Sequence, residues 1–312
     1  MDASLIAQVD ALTADTTSGA SELLPRAIGI LREAARLPEA EALDWIRAVG
    51  LAQPTMAPLW NAALAAVADR RRPGALARFD ERRRRAAGAL VRSVVREALL
   101  GPPGPRHVIT LSFSGSVLAA LRELARRTPL TVSCTEGRPG LEGRRLALAL
   151  AEEGIAVDFY GDAAIGEALA RRGEGGTLVL VGADAVTSDW VLNKTGTMML
   201  AAAAARVGVP VYVAAARDKF VDPRVARLLR IAEHGAGGVW EAAPAGVTVR
   251  NAWFEQVPTD LLSAVVSDAG TLAPDMLEEA CRAASAEVTD EDIGALLGGG
   301  RDGGQRTTAG GR

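Results

Sequence analysis

Apolar residues in the first hundred positions recur at helical spacing, in Leu24, Ile28, Ile30 and Leu31 and again in Leu59, Ala63 and Val67. Each set falls on one side of a 3.6-residue turn, the mark of an amphipathic helix. From Ala75 to Leu100 a stripe of Leu76, Phe79, Leu90, Val94 and Leu99 runs through a stretch of charge and predicts one long helix. The arginines at 82–85, with Asp80 and Glu81 beside them, read as its solvated face. GPPGPR at 101–106 interrupts the pattern, since Pro and Gly cannot continue a helix. Beyond it, short β-rich runs at 107–111, 130–134, 156–160, 177–181 and 209–214 alternate with amphipathic stretches at 117–127, 142–153, 163–172 and 195–207. Strand–helix alternation with apolar strands predicts an α/β fold, a parallel sheet with helices on both faces. The end of the chain, GGGRDGGQRTTAGGR, is Gly-rich and polar and cannot bury a core; residues 286–312 are expected to form a disordered tail.

Composition narrows the classes. The 312 residues carry a formal net charge of −3, which lacks the basic footprint of nucleic-acid binders, so no nucleic-acid partner is expected. No apolar run approaches membrane-spanning length, and the start has neither a basic n-region nor an apolar h-region. Two cysteines, Cys134 and Cys281, are too few for a disulfide framework. A cytoplasmic protein without membrane contact is the expectation. Of 35 basic residues only Lys194 and Lys219 are lysines, and asparagine occurs only at 61, 193 and 251. In so Ala- and Arg-rich a chain, the surviving lysines are either chance survivors on the surface or candidates for positions where a planar guanidinium does not replace a compact ammonium.

Ligands of an open parallel sheet bind beyond the carboxyl ends of its strands. After the first strand stands Ser112-Phe113-Ser114-Gly115-Ser116, leading into a helix. The hydroxyls Ser114 and Ser116 there make either an anion site or an ordinary helix cap. After the second come Arg138 and Arg144, either phosphate ligands or solvated loop arginines. After the fourth comes Asp184, and nine residues on Asn193 and Lys194 are expected to open the next helix. No G-x-G-x-x-G follows a strand and no G-x-x-x-x-G-K-[ST] is present, so no nicotinamide, flavin or P-loop nucleotide site is expected. His107 and His234 lack Cys or carboxylate partners at ligand spacing, so no metal is expected and no cofactor is assigned.

Several segments together carry a resemblance: QPTMAPLWN at 53–61, ITLSFSGSV at 109–117, CTEGRPGLEGRRLA at 134–147, VGADAV at 181–186, LNKTGT at 192–197, VYVAAARDKF at 211–220, FEQVPTDL at 254–261 and SDAGTLAP at 267–274. The chain resembles the family that unites the alpha, beta and delta subunits of translation initiation factor 2B with methylthioribose-1-phosphate isomerase and ribose-1,5-bisphosphate isomerase. The resemblance implies a helical N-terminal domain at 1–104, a Rossmann-like sugar-phosphate-binding domain at 105–285, and a homodimer or larger homo-oligomer. In the isomerases an aldose 1-phosphate becomes a ketose 1-phosphate, with an aspartate and a cysteine moving protons. The aspartate matches Asp184; Ser112 stands where the cysteine is expected. A thiolate accepts a proton near neutral pH, whereas a hydroxyl does so only beside an activating base. Cys134, ending a strand on the same edge, is the one available substitute.

Two functions follow as expectations. In one, a sugar-phosphate-binding, isomerase-like protein uses Asp184 and Ser112 at the catalytic positions, with Ser114, Ser116, Arg138, Arg144, Asn193, Lys194 and Lys219 on substrate or phosphate. In the other, a non-catalytic member resembling the initiation-factor subunits senses a sugar phosphate or a nucleotide.

Overall fold

A computed structural model describes residues 3–100, 106–171 and 175–298. The first part is a layer of five helices: α1 (Ala3–Ala14), α2 (Ala20–Ala34), α3 (Glu39–Ala52), α4 (Ala57–Asp69) and α5 (Ala75–Ala98). Nearly every side chain of α4 is buried, and six of its 13 residues are alanine, so its neighbours approach from all sides. Pro58 lies in its first turn, where a missing N–H costs nothing. The 24-residue α5 confirms the long helix expected over 75–100.

The second part holds β1 (Arg106–Thr110), α6 (Gly115–Ala125), β2 (Leu130–Thr135), α7 (Glu142–Ala151), β3 (Ala156–Tyr160), α8 (Ile165–Ala170) and β4 (Thr177–Val181). It continues through β5 (Ala185–Val186), β6 (Trp190–Lys194), α9 (Thr197–Arg206), β7 (Val211–Ala214), β8 (Phe254–Pro258), β9 (Ala264–Ser267), β10 (Gly270–Leu272), α10 (Leu277–Ala284) and α11 (Asp290–Leu297). Seven strands form one sheet in the order β10-β9-β7-β4-β1-β2-β3. All its pairings are parallel except β10 on β9. Val108 of β1 lies opposite Val132 on one side and Leu178 on the other. Buried apolar strands of this kind need cover on both faces. Strand order reverses between β1 and β4, which makes their carboxyl ends the switch point where such sheets open a crevice.

Three expectations are corrected. Asn193 and Lys194 do not open a helix: they close β6, the middle strand of a separate antiparallel sheet β5-β6-β8, and α9 starts at Thr197. The expected tail contains α11, whose Ile293 and Leu296 sit in the core of the helical layer. The stretch expected as one helix over 163–172 is a short turn followed by α8, with Arg172 outside the described residues. The expected boundary at 104–105 and the glycine-rich end from 299 also lie outside the described residues. The core of the helical layer takes in Ala185 and Leu192 of the small sheet together with Val221 and Val225.

Candidate functional site

Ser112 leaves β1 with φ +59°, a left-handed conformation that costs a non-glycine residue energy and concentrates at functional sites. Two residues on, Ser114 caps α6 by accepting the Val117 N–H at 3.4 Å. The end of β4 passes close by. A Cβ on Gly182 would lie 2.7 Å from the Ser114 hydroxyl oxygen, so only glycine brings the two strand ends together.

Asp184 follows Gly182 and is held by its main chain. Its N–H donates to the Leu192 carbonyl at 2.8 Å, and its carbonyl accepts the Ala57 N–H at 3.0 Å. Burial pushes its carboxyl above the ordinary carboxylate range, against the opposing pull of Lys219 and Lys194. The Lys219 ammonium donates to the Ala183 carbonyl. Asn61 of α4 fixes the turn that carries Lys219, its side-chain amide donating to the carbonyls of Asp218 at 2.7 Å and Phe220 at 2.9 Å.

The small sheet supplies the opposite wall. The Asn193 amide donates to Thr197 Oγ1 at 2.9 Å. The buried Lys194 ammonium pairs with Glu142 at 2.5 Å and lies 4.5 Å from the centre of the Trp253 ring, a cation–π contact. Trp253 stacks on His234 at 4.1 Å, and burial together with Lys194 lowers the His234 pKa. Glu142 is brought there by Gly143: a Cβ at that position would lie 1.7 Å from the Thr135 carbonyl oxygen, so glycine alone lets α7 start against the end of β2.

These residues enclose one cleft with two adjoining lobes, which share Gly19, Phe113, Ser114, Gly182, Asp184 and Asn193. The larger, about 340 Å³, adds Ser112, Glu142, Lys194, His234 and Trp253. The smaller, about 270 Å³, adds Ser116, Asp218 and Lys219. The structure therefore brings together Ser112, Ser114, Ser116, Asp184, Asn193, Lys194 and Lys219. Arg138 and Arg144 stand apart. Both are exposed and bind Glu136, at 3.2 and 3.0 Å, and neither lines the cleft. A guanidinium is supplied instead by Arg145, which lies 4.0 Å from the Phe113 ring centre and pairs with Glu22 at 3.2 Å. Cys134 is fully buried inside β2 and outside the cleft lining, and burial pushes its thiol up to about 12, so it offers no thiolate there. Among the described residues no group of three or more His, Cys, Asp or Glu side chains is placed to hold a metal ion.

Sequence reasoning missed the turn at 15–19 and the first turn of α2 that follows it, from which Ser18, Gly19 and Ser21 line the cleft. Asp15 and Glu22 brace it: Asp15 accepts the Ser18 N–H at 2.9 Å, and Glu22 accepts the Gly19 N–H at 3.1 Å. The signal was present in DTTSGASE, a Ser/Thr/Gly run entering a helix, hidden within a region otherwise uniformly helical. Thus the amino ends of two helices, α2 and α6, meet in a cleft that holds two lysines.

A helical layer on a doubly wound sheet, with an anion-receptive cleft at the switch point between them, defines the class. A model of the initiation factor 2 subunit family matches residues 77–274. Methylthioribose-1-phosphate isomerase of Desulforudis audaxviator is 34% identical over 279 residues, 82% of this chain and 75% of that protein. A Pyrococcus furiosus protein named as a putative translation initiation factor eIF-2B subunit 2-like is 34% identical over 169 residues, 54% of this chain and 58% of that one. The solved Pyrococcus horikoshii translation initiation factor eIF-2B superposes with TM-score 0.73 at 26% identity, covering 88% of this chain and 98% of that one. The chain belongs to the initiation factor 2 subunit family.

Proposed function

We propose that the cleft binds a phosphorylated aldose and that the protein is an isomerase-like member of its family, taking an aldose 1-phosphate to a ketose 1-phosphate. The observation that carries this reading is the convergence of Asp184, Lys194, Lys219, Asn193 and three serines on one cleft fed by two helix amino ends. Backbone N–H groups and ammonium groups favour phosphate. Burial holds the Asp184 carboxyl above its ordinary range, which suits a group that exchanges a proton with a ligand. An isomerase relative that covers most of the chain adds weight. Titration calorimetry with ribose 1-phosphate, ribose 1,5-bisphosphate, methylthioribose 1-phosphate and AMP tests it; the reading expects a sugar 1-phosphate to bind, and fails when none does.

A second reading, a ligand-sensing member that performs no chemistry, is favoured by Ser112 at the thiol position and by the burial of Cys134. Binding without turnover selects it. Association of copies in the cytoplasm belongs to either reading; Met198 and Met199, exposed on α9, offer an apolar contact, and light scattering tests it. No described helix is long and apolar enough to cross a membrane.

A further inference from the structure

We propose that Asp218 is a second proton-transfer residue of the cleft, acting opposite Asp184 where Ser112 cannot. The proposal rests on the aldose 1-phosphate reading above. Asp218 lines the same lobe as Asp184, Ser114, Ser116 and Lys219. The two acids are tied to each other through their neighbours: Lys219, next to Asp218, donates to the carbonyl of Ala183, next to Asp184. Asn61 holds the Asp218 carbonyl at 2.7 Å, so the acid sits on a fixed stretch of chain.

The side chain itself is uncommitted. Asp218 Oδ1 is buried and has no hydrogen-bond partner among the described residues. The neighbouring guanidinium groups are directed elsewhere, Arg83 to Asp80 and Arg217 to Asp268, each at 2.8 Å. A buried carboxylate oxygen without a donor is costly, and the cost is removed by a proton or by a ligand hydroxyl. Burial and the nearby Asp268 push the Asp218 carboxyl above the ordinary range, while Lys219 and Arg83 pull it down. Asp184 has two opposing lysines where Asp218 has one lysine and one arginine set against a further carboxylate. The buried, partnerless Oδ1 assigns the acid's part to Asp218, and the two lysines facing Asp184 assign it the base's part.

An acid and a base complete the isomerisation without a thiol. Opening the sugar ring breaks the C1–O4 bond, and Asp218 gives O4 its proton. The C2 hydrogen moves to C1 with its electron pair, and the C2 hydroxyl passes its proton to Asp184. C2 becomes a carbonyl, C1 keeps its phosphate, and no redox partner is consumed. Proton exchange with water then returns both carboxyls to their starting forms. Paired carboxyls held in opposite protonation states are an established way of dividing acid from base work. A lone serine hydroxyl has no such capacity at neutral pH.

The full-length wild type, Asp218→Asn and Asp218→Ala are compared for ribose 1-phosphate binding by calorimetry and for ketose 1-phosphate formation. The expected result is unchanged affinity, a fall in kcat of about 10²–10⁴-fold in both variants, and recovery of Asp218→Ala turnover on adding formate. Formate rescue separates a proton-transfer group from a structural one. Turnover by Asp218→Asn at the wild-type rate overturns the proposal, as does wild type that binds ribose 1-phosphate without converting it. So does a loss of turnover that formate leaves unrestored. All three leave the binding reading standing, whereas failure of ribose 1-phosphate, ribose 1,5-bisphosphate and methylthioribose 1-phosphate to bind removes both.

Discussion

Removing the Lys194 ammonium strands the Glu142 carboxylate, whose second oxygen, Oε2, is already buried without a partner. Breaking one side of a buried ion pair costs far more than deleting the pair. Lys194→Ala is therefore expected to destabilise the fold by about 3 kcal/mol in urea unfolding, with Lys194→Ala/Glu142→Ala recovering most of it. The double variant regains stability without regaining sugar-phosphate affinity. Lys194→Arg does not substitute, because a planar fork does not fit the space between Glu142 and Trp253 that an ammonium fills. Asp184 gives the opposite signature. A carboxyl raised in the folded state holds its proton longer there than in the unfolded chain, so folding stability falls as pH climbs above the ordinary carboxylate value of 3.8. Asp184→Asn is expected to melt higher than wild type, by a margin that widens from pH 4 upwards, while losing turnover. A margin that stays flat across that range contradicts the burial argument. The scarce residues prove informative at this scale. Both lysines stand in the cleft, Asn193 lines it, and Asn61 and Asn251 hold its loops, the latter accepting the Trp253 indole N–H at 3.0 Å.

Among the elements, α7 depends on one missing methyl group. Gly143→Ala places a Cβ against the Thr135 carbonyl, backbone that cannot yield. An expected destabilisation of about 1–3 kcal/mol follows, with the start of α7 displaced and the Glu142–Lys194 ion pair pulled apart. Denaturant unfolding measures the first effect, and weakened sugar-phosphate affinity the second. The strands β1, β2 and β4 were legible because parallel strands buried on both faces read as apolar runs between helices. The antiparallel sheet was not. β5 has only two residues, and the KTGT that ends β6 carries the hydroxyl and glycine signals of a helix start. Those signals were real, since α9 begins at Thr197, but they pulled Asn193 and Lys194 one element too far. Arg138 and Arg144 misled for another reason. Position after a strand places a residue near the crevice, but Glu136, on the loop between β2 and α7, captures both guanidinium groups.

Across the whole molecule, three apolar cores among the described residues are linked by elements that span the layers: the end of α5 packs into a core of the large sheet, and the small sheet and α11 enter the core of the helical layer. α11 is fastened by Asp292, which accepts the Thr289 N–H at 2.9 Å and pairs with Arg71 and Arg72 at the end of α4. Asp292→Ala leaves Arg71 with Glu291 alone and removes the side-chain half of the α11 capping box, the acceptor of the Thr289 N–H. A loss of about 2–4 kcal/mol in thermal or urea unfolding is expected, with faster hydrogen exchange in α3 and α4. Composition placed this segment in a tail because eight helical residues beside a glycine-rich run carry little periodic signal. Only the cap Thr289 and the acidic first turn marked it.

The main chain at Asp184 has a consequence for traffic. Its carbonyl is bonded to the start of α4 and its N–H to β6. Swinging the helical layer away from the sheet would displace Asp184, the residue to which the proposed function gives proton transfer. The way in and out must therefore run along the rim, past His234 and Trp253, whose segment rests on the β6 side and makes no such bond to Asp184. On the proposed function, a ligand passes in and out beside the His234–Trp253 stack while the bonds of Asp184 keep the two layers together.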